Sequence, residues 1–446
     1  MVTLLDQLGA CAATARVEAL PATHRDRIAV HWRDALGALA AGCLLDAARP
    51  LAALIDGLEG PALRHAAAFA GAMRMTEIDD IDRRSGVTAA AIAAPVALGL
   101  LNAAGEGAAA RALDAYAVGY EISVRLAEAA GGASLLARGV WPTYLVAPAG
   151  AAATTARMLG LDSDTTTQAL AIALARAAPG VGRPPGPRPV RWFAFAQAVR
   201  DGCAAAFAAR DGVNGDTGIL EGGWIASRTG GAALPDAEVL TRGLGDGHVA
   251  MRASLKPYCS AKQGLAAIDA FQQLMADGAD PASIEAVTVR VPTAYAAMVG
   301  HAQFPTARIP SIVSVRYQLA LAAHSPDGLY DIRRDPPRRT AAIEALAARI
   351  AVIADDGLAA DYPAAWPAEV TVRWSGGEGT RRVVDSAGDP ARPFDRTAVD
   401  EKYRAVLGRL VPGADVRRWL DAIDGATRDP ARLGALAGDL AAALRR

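Results

Sequence analysis

With 446 residues, 52% hydrophobic and 21% charged, and a formal net charge of −1, the chain is long enough for two or three domains with large cores. The near-neutral charge leaves no nucleic-acid footprint, and no apolar run is long and unbroken enough to span a bilayer. Aromatics are only 5% and alanine is abundant, a composition that favours close-packed helices.

The first twenty residues, MVTLLDQLGACAATARVEAL, are amphipathic with an early acid. They lack the basic region and long apolar core of a signal peptide. Cys11, Cys43, Cys203 and Cys259 are scattered without metal-like spacing and read as reduced thiols of a cytoplasmic protein. Up to about position 212 the pattern is helical, as in 27–43 (RIAVHWRDALGALAAGC), 88–104, 108–130 and 147–159. Several of these helices are apolar nearly all round, which predicts a central position. Residues 178–189, APGVGRPPGPRP, read as a Pro/Gly-rich loop of a length often reserved for function.

After Asp280 the texture changes. Segments 284–291 (IEAVTVRV), 368–374 (AEVTVRW) and 380–385 (TRRVVD) alternate like strands, the last two joined by the hairpin loop SGGEG. Helices are predicted at 310–323 and 338–354, and the tail 400–446 returns to helix. The expected architecture is mainly α: a large all-helical domain over 1–252, with 400–446 packing back on it, and a smaller α+β domain over 253–399.

Four stretches carry candidate chemistry. Glu77, Asp79 and Asp80 sit in MTEIDDID, just before an apolar helix. They suit either a helix cap or a cluster of like charges that raises one carboxyl pKa for acid–base work. In RGVWPTYLVAPAG, the proline after Trp141 marks the start of a helix, and Trp141 and Tyr144 are either core or pocket lining. Arg191 begins an apolar helix, where it opposes the helix dipole and calls for a carboxylate partner from protein or ligand. The chain has three lysines against 43 arginines, and two of them, Lys256 and Lys262, flank Tyr258 and Cys259 in LKPYCSAKQG. They are either solvated on a loop or placed so that Lys256 holds a carboxylate or shuttles a proton. The six histidines lie far apart, and no histidine stands at a metal-ligand spacing from the acids, so no metal is predicted. There is no G-x-S-x-G elbow, no P-loop and no G-x-G-x-x-G after a strand, and no cofactor is predicted.

In order along the chain, RDALGALAAG, AVGYEISVRL (with Gly119, Tyr120, Glu121 and Arg125), RGVWPTYLVAPAGAAATTARMLGLD, LKPYCSAKQGLAAIDA and VDSAGDPARPFDRTAVDEKYRAVL resemble segments of the MmgE/PrpD family. That family includes 2-methylcitrate dehydratase, cis-aconitate decarboxylase and iminodisuccinate epimerase. The resemblance implies a helical domain with an α+β lid, a homodimer, and a site in the cleft between the domains. It also places Lys256 at a site-lysine position and Tyr317 at an S-x-x-Y position.

The departures bear on mechanism. The family's D-F-D-D-T-H is here Glu77, Ile78, Asp79, Asp80, Ile81, Asp82, and its H-P-S histidine falls on Val87 or Thr88. The histidine of R-G-x-H-P-T is Trp141, a site lysine becomes Arg191, and the histidine after the lysine-tyrosine motif is Leu265. Imidazole is the side chain best tuned for proton transfer near neutral pH, so its loss argues against ordinary 2-methylcitrate dehydration or cis-aconitate decarboxylation. The expectation is a cofactor-independent lyase or isomerase moving a proton beside a carboxyl or carbonyl group of a small, carboxylated molecule. Lys256, Glu77, Asp79 and Asp80 would be its acid–base groups. Arg191, Trp141, Tyr144, Tyr258, Tyr317, Thr88 and Lys262 would bind the substrate. The rivals are a ring-closing or rearrangement catalyst using a repurposed pocket, and a non-catalytic binding or scaffold homologue.

Overall fold

The structure, a computed structural model, describes residues 2–178, 180, 190–230, 237–301 and 303–445. Most of the predicted loop 178–189 therefore lies outside the described residues. The chain divides into two compact units. One comprises the described residues up to Gly180, Val190–Ala253 and those from Asp395 onward; the other is Ser254–Phe394.

The first unit is helical. Its centre is built from Ala22–Cys43, Arg64–Met75, Ala90–Gly99, Ala108–Ala129, Pro142–Leu159 and Arg191–Arg210. Ala90–Gly99 and Pro142–Leu159 are buried on nearly every side, as their all-round apolar sequences predict. Pro142 opens its helix at the first turn, where a missing N–H costs nothing. Small residues let these helices approach closely. A side chain on Gly119 would run into Thr154, and one on Gly150 into Ser123, so the Ala108–Ala129 and Pro142–Leu159 helices meet backbone to backbone. The tail supplies three more helices, Arg396–Leu407, Gly413–Arg428 and Leu433–Arg445. Arg33 of the Ala22–Cys43 helix ties two of them down through Asp400 (2.5 Å) and Asp424 (2.8 Å). Among the described residues no single helix is long and apolar enough to cross a membrane.

The second unit is α+β. Its four-stranded sheet runs in the order Ile350–Ala354, Ile284–Val291, Ala368–Trp374, Gly377–Val383; the first pair is parallel and the others antiparallel. The Lys262–Ala276 helix packs on this sheet. Three details differ from the sequence reading. The segment read as one helix over 338–354 is a short helix, Ala341–Ala348, followed by the Ile350–Ala354 strand. Its apolar run IAVIA fits either period, and pairing with Val287–Val291 decides it. The helix read over 310–323 breaks at Ser314, whose hydroxyl caps the second half by accepting from Tyr317 N at 3.3 Å. The hairpin turns on Ser375 and Gly376 alone, because Trp374 pairs directly with Gly377.

One ion pair inside this unit is fully enclosed. Lys262 Nζ meets Asp389 Oδ1 at 2.6 Å and donates to Ser386 Oγ at 2.9 Å, with Lys262 and Asp389 3% and 1% exposed. Removing one partner of a buried pair strands the other charge. Lys262→Met is therefore expected to lower unfolding free energy by about 3–5 kcal/mol in urea denaturation, and adding Asp389→Leu to recover part of the loss. Equal losses that simply add in the double variant would mean that the pair is not coupled.

Candidate active site

The acidic loop begins where the Arg64–Met75 helix ends. Thr76 closes that helix: its hydroxyl donates to the Met73 carbonyl at 2.7 Å and accepts from Ile78 N at 3.3 Å. The chain then turns sharply. Glu77 has φ 57°, the one positive value on a non-glycine among the described residues, a conformation costing about 1–3 kcal/mol that neighbouring structure must hold in place. Two contacts hold it. Arg74 Nη1 donates to Glu77 Oε2 and to Asp79 Oδ1, both at 3.1 Å. On the next residue, the Ile78 carbonyl accepts from Lys402 Nζ at 2.9 Å, while the same ammonium pairs with Asp34 at 2.7 Å.

Around this loop the helical unit gathers several of the sequence-predicted residues. Arg191 Nη2 stands 3.3 Å from Glu77 Oε1, which supplies the carboxylate that an arginine at a helix start calls for. Its guanidinium lies 5.1 Å from the centre of the Trp141 ring. Trp141 is half-buried and meets Tyr144 edge-on at 6.3 Å; Tyr144 meets Phe195 in turn at 5.4 Å. Thr88 N donates to Thr143 Oγ1 at 3.2 Å, beside Tyr144. Burial lowers the Arg74 pKa, but the Asp79 and Glu77 carboxylates outweigh it and, with Tyr144, hold the guanidinium above its usual value.

Asp80 differs from its neighbours. Its Oδ1 accepts from Ala90 N at 3.1 Å, at the start of the Ala90–Gly99 helix, and no ion pair reaches it among the described residues. Burial pushes its carboxyl up to about 8. The Tyr120 hydroxyl and the Ala90 N–H oppose that rise, and the charges of Asp79 and Asp34 add to it. Tyr116 and Tyr403 also face it. Asp80 Oδ2, Thr88 Oγ1 and Tyr144 Oη are buried without a hydrogen-bond partner among the described residues. Among the described residues no group of three or more His, Cys, Asp or Glu side chains is arranged to hold a metal ion.

The remaining predicted residues lie in the second unit. Lys256 is 3% exposed on the stretch before the Lys262–Ala276 helix. Tyr258 donates to Gln272 Oε1 at 3.0 Å and meets Tyr330 edge-on, and burial pushes its hydroxyl up to about 12. Tyr317 donates to the Arg338 carbonyl at 3.2 Å, and burial raises it as well. Lys262 is committed to Asp389 and Ser386, which is a structural arrangement. Sequence reasoning passed over Arg74, Asp34 and Lys402. Arg74 had one signal, its i,i+3 spacing to Glu77; Lys402 had another, as the third lysine of a lysine-poor chain.

A mainly helical unit with a buried carboxyl cluster, followed by an α+β unit, defines the class of protein. The MmgE/PrpD N-terminal domain matches residues 6–232 and the MmgE/PrpD C-terminal domain matches residues 258–425. The chain belongs to the MmgE/PrpD family, whose members are generally lyases or dehydratases. No curated protein matches the chain significantly.

Asp80 gives a pH signature. Its folded-state value, about 8, lies above the ordinary 3.8, so between those limits the folded protein binds a proton that the unfolded chain releases. The stability contributed by the neutral carboxyl is complete below the lower value and is lost as pH rises through the upper one, by at most about 1.4 kcal/mol per pH unit. Asp80→Asn keeps the acceptor for Ala90 N but cannot ionise. Its unfolding free energy relative to wild type should rise between about pH 6 and 8 and level off above, in urea denaturation at each pH. A difference independent of pH would show that Asp80 is not the titrating group.

Proposed function

We propose that this protein is a lyase or isomerase that moves a proton beside a carboxyl or carbonyl group of a small carboxylated molecule, without a cofactor. The observation that carries this reading is the unequal state of adjacent acids. Glu77 and Asp79 are paired with a guanidinium, while Asp80 is enclosed, uncharged near neutral pH and within the same loop. Environments that drive neighbouring carboxyl groups apart define an acid and a base. Asp80 is the proton donor, and Glu77 or Asp79 the proton acceptor. Arg191, stacked on Trp141 and only partly buried, orients the substrate carboxylate. Lys256, buried in the second unit, is a further acid–base group in this reading. Trp141 and Leu265 stand where relatives of the family place imidazoles, so the carboxyl groups carry the proton transfer here.

Proton exchange in a panel of acids tests this reading. The protein is incubated in D2O with di-, tri- and hydroxycarboxylic acids, and proton NMR follows loss of C–H signal beside the carboxyl and any new alkene. Exchange or elimination is expected with at least one compound. Asp80→Asn and Lys256→Ala should each lower turnover roughly a hundredfold. Arg191→Ala should raise KM more than it lowers kcat. Wild-type turnover should fall as pH rises through about 8. Full turnover in both acid–base variants would sink the assignment, and binding without turnover would favour a non-catalytic homologue.

A further inference from the structure

If Asp80 donates a proton in each turnover, it must recover one from solvent, yet it is 2% exposed and enclosed by protein. Its neighbour Tyr120 offers a route. The Tyr120 hydroxyl approaches the Asp80 carboxyl closely enough to interact with it, without reaching the geometry of a full hydrogen bond. Tyr120 also lines a cavity of about 30 Å³ in the helical unit, together with His31 and Tyr116. By the measure on which one water needs about 10–15 Å³, this cavity has room for about two or three.

The lining fits water. Tyr120 Oη, Tyr116 Oη and His31 Nε2 are all buried and have no hydrogen-bond partner among the described residues, and each of these residues is 2% exposed. The rings are neighbours: His31 and Tyr120 lie 6.1 Å apart between centroids, and Tyr116 and Tyr120 6.0 Å. Three buried orphan polar atoms on residues that line one small cavity would be costly unless met by water. Burial, with Arg27 nearby, keeps His31 neutral, well below its usual value, so one ring nitrogen accepts a hydrogen bond. The cavity also adjoins the surface. It shares Ala15, Arg16, Leu20 and Gly245 with an open depression bordered by His24, Asp246 and His248. The Gly-Tyr-Glu-x-x-x-Arg segment thereby gains a purpose for each of its side chains. Glu121 accepts from Gly245 N at 2.9 Å, and Arg125 donates to the Arg242 and Gly243 carbonyls at 2.8 Å, so both fasten the segment that walls the cavity. Tyr120 faces inward between them.

We propose that Tyr116, Tyr120 and His31 form a water-filled proton path that reloads Asp80 from the surface of the helical unit. In the reloading step a hydronium ion entering from the depression gives a proton to Tyr120 Oη. The original Tyr120 hydroxyl proton passes to the Asp80 carboxylate. Tyr120 ends unchanged, the hydronium becomes water, and Asp80 becomes neutral. Tyr120 never has to ionise, in keeping with burial holding its hydroxyl well above the ordinary tyrosine value. Tyr120 and His31 are relay and positioning residues, and the chemistry on substrate remains with the loop.

This proposal rests on the acid role of Asp80, and the experiment separates the two. The full-length protein is jumped from about pH 6 to about pH 9 in a stopped-flow infrared cell, and the C=O band of the protonated carboxyl that Asp80→Asn lacks is followed with time. Two variants block the path: Tyr120→Phe removes the hydroxyl, and Ala250→Leu fills the cavity from its partly exposed wall without approaching Asp80. Ala250→Leu should leave the equilibrium titration of the band near that of wild type, Tyr120→Phe should move it upward because it removes a hydroxyl that opposes the rise of Asp80, and both should slow the decay at least roughly tenfold when compared at the same distance above each midpoint. Circular dichroism on each variant confirms that it is folded. A band that decays equally fast in wild type and both variants overturns the path and leaves the acid role standing. A wild-type spectrum with no Asp80-dependent band overturns both.

Discussion

The acidic loop is organised by one enclosed guanidinium. Arg74 is 6% exposed, and a charge so placed is tolerable only when it is paired; the demands of its Nη1 are the ones answered here. Glu77 and Asp79 meet them from positions three and five residues further on. To reach back, the chain must reverse direction immediately after the helix, and Glu77 takes the left-handed conformation that makes this possible. The backbone strain and the ion pairs are therefore two sides of one constraint. Lys402, arriving from the C-terminal tail, grips the Ile78 carbonyl between the two acids and anchors the loop to Asp34. A tail some 320 residues away in sequence is thus part of what holds the acids in place.

That constraint also explains why adjacent carboxyl groups behave differently. Asp79 is turned toward Arg74, and Asp80 is turned away from it into a wall of tyrosines. Asp79 is paired with a cation there, and among the described residues Asp80 is not. An uncharged carboxyl at neutral pH is the outcome, and it supports proton donation as the function of the loop. The consequence is isolation from solvent, which the proposed path through Tyr120 would relieve.

The second unit shows the same rule with lysines. Lys256 and Lys262 are equally buried, but Lys262 is enclosed with Asp389 and Ser386, where its charge serves the fold. Lys262 begins a helix, and Lys256 lies on the stretch before it. Tyr258 and Tyr317 likewise commit their hydroxyl protons to Gln272 and to the Arg338 carbonyl.

Much of the fold was legible in the chain because local rules settle it. The apolar helices, the strand at Ile284–Val291, the helix start at Pro142 and the need of Arg191 for a carboxylate are all consequences of spacing and of neighbours a few residues away. The strand Ile350–Ala354 was not legible, since its apolar run satisfies either period until Ile284–Val291 pairs with it. For the site, the sequence by itself placed Glu77, Asp79, Asp80, Lys256 and Lys262 in plain view as residues with chemistry. Only the tertiary structure decided which acid is paired and which is neutral, and that Lys262 is locked in an ion pair with Asp389. Those outcomes depend on Arg74, Tyr120, Lys402 and Asp389, which reach the site through packing. A pKa answers to burial and to charges a few ångströms away, and neither is written in the order of residues.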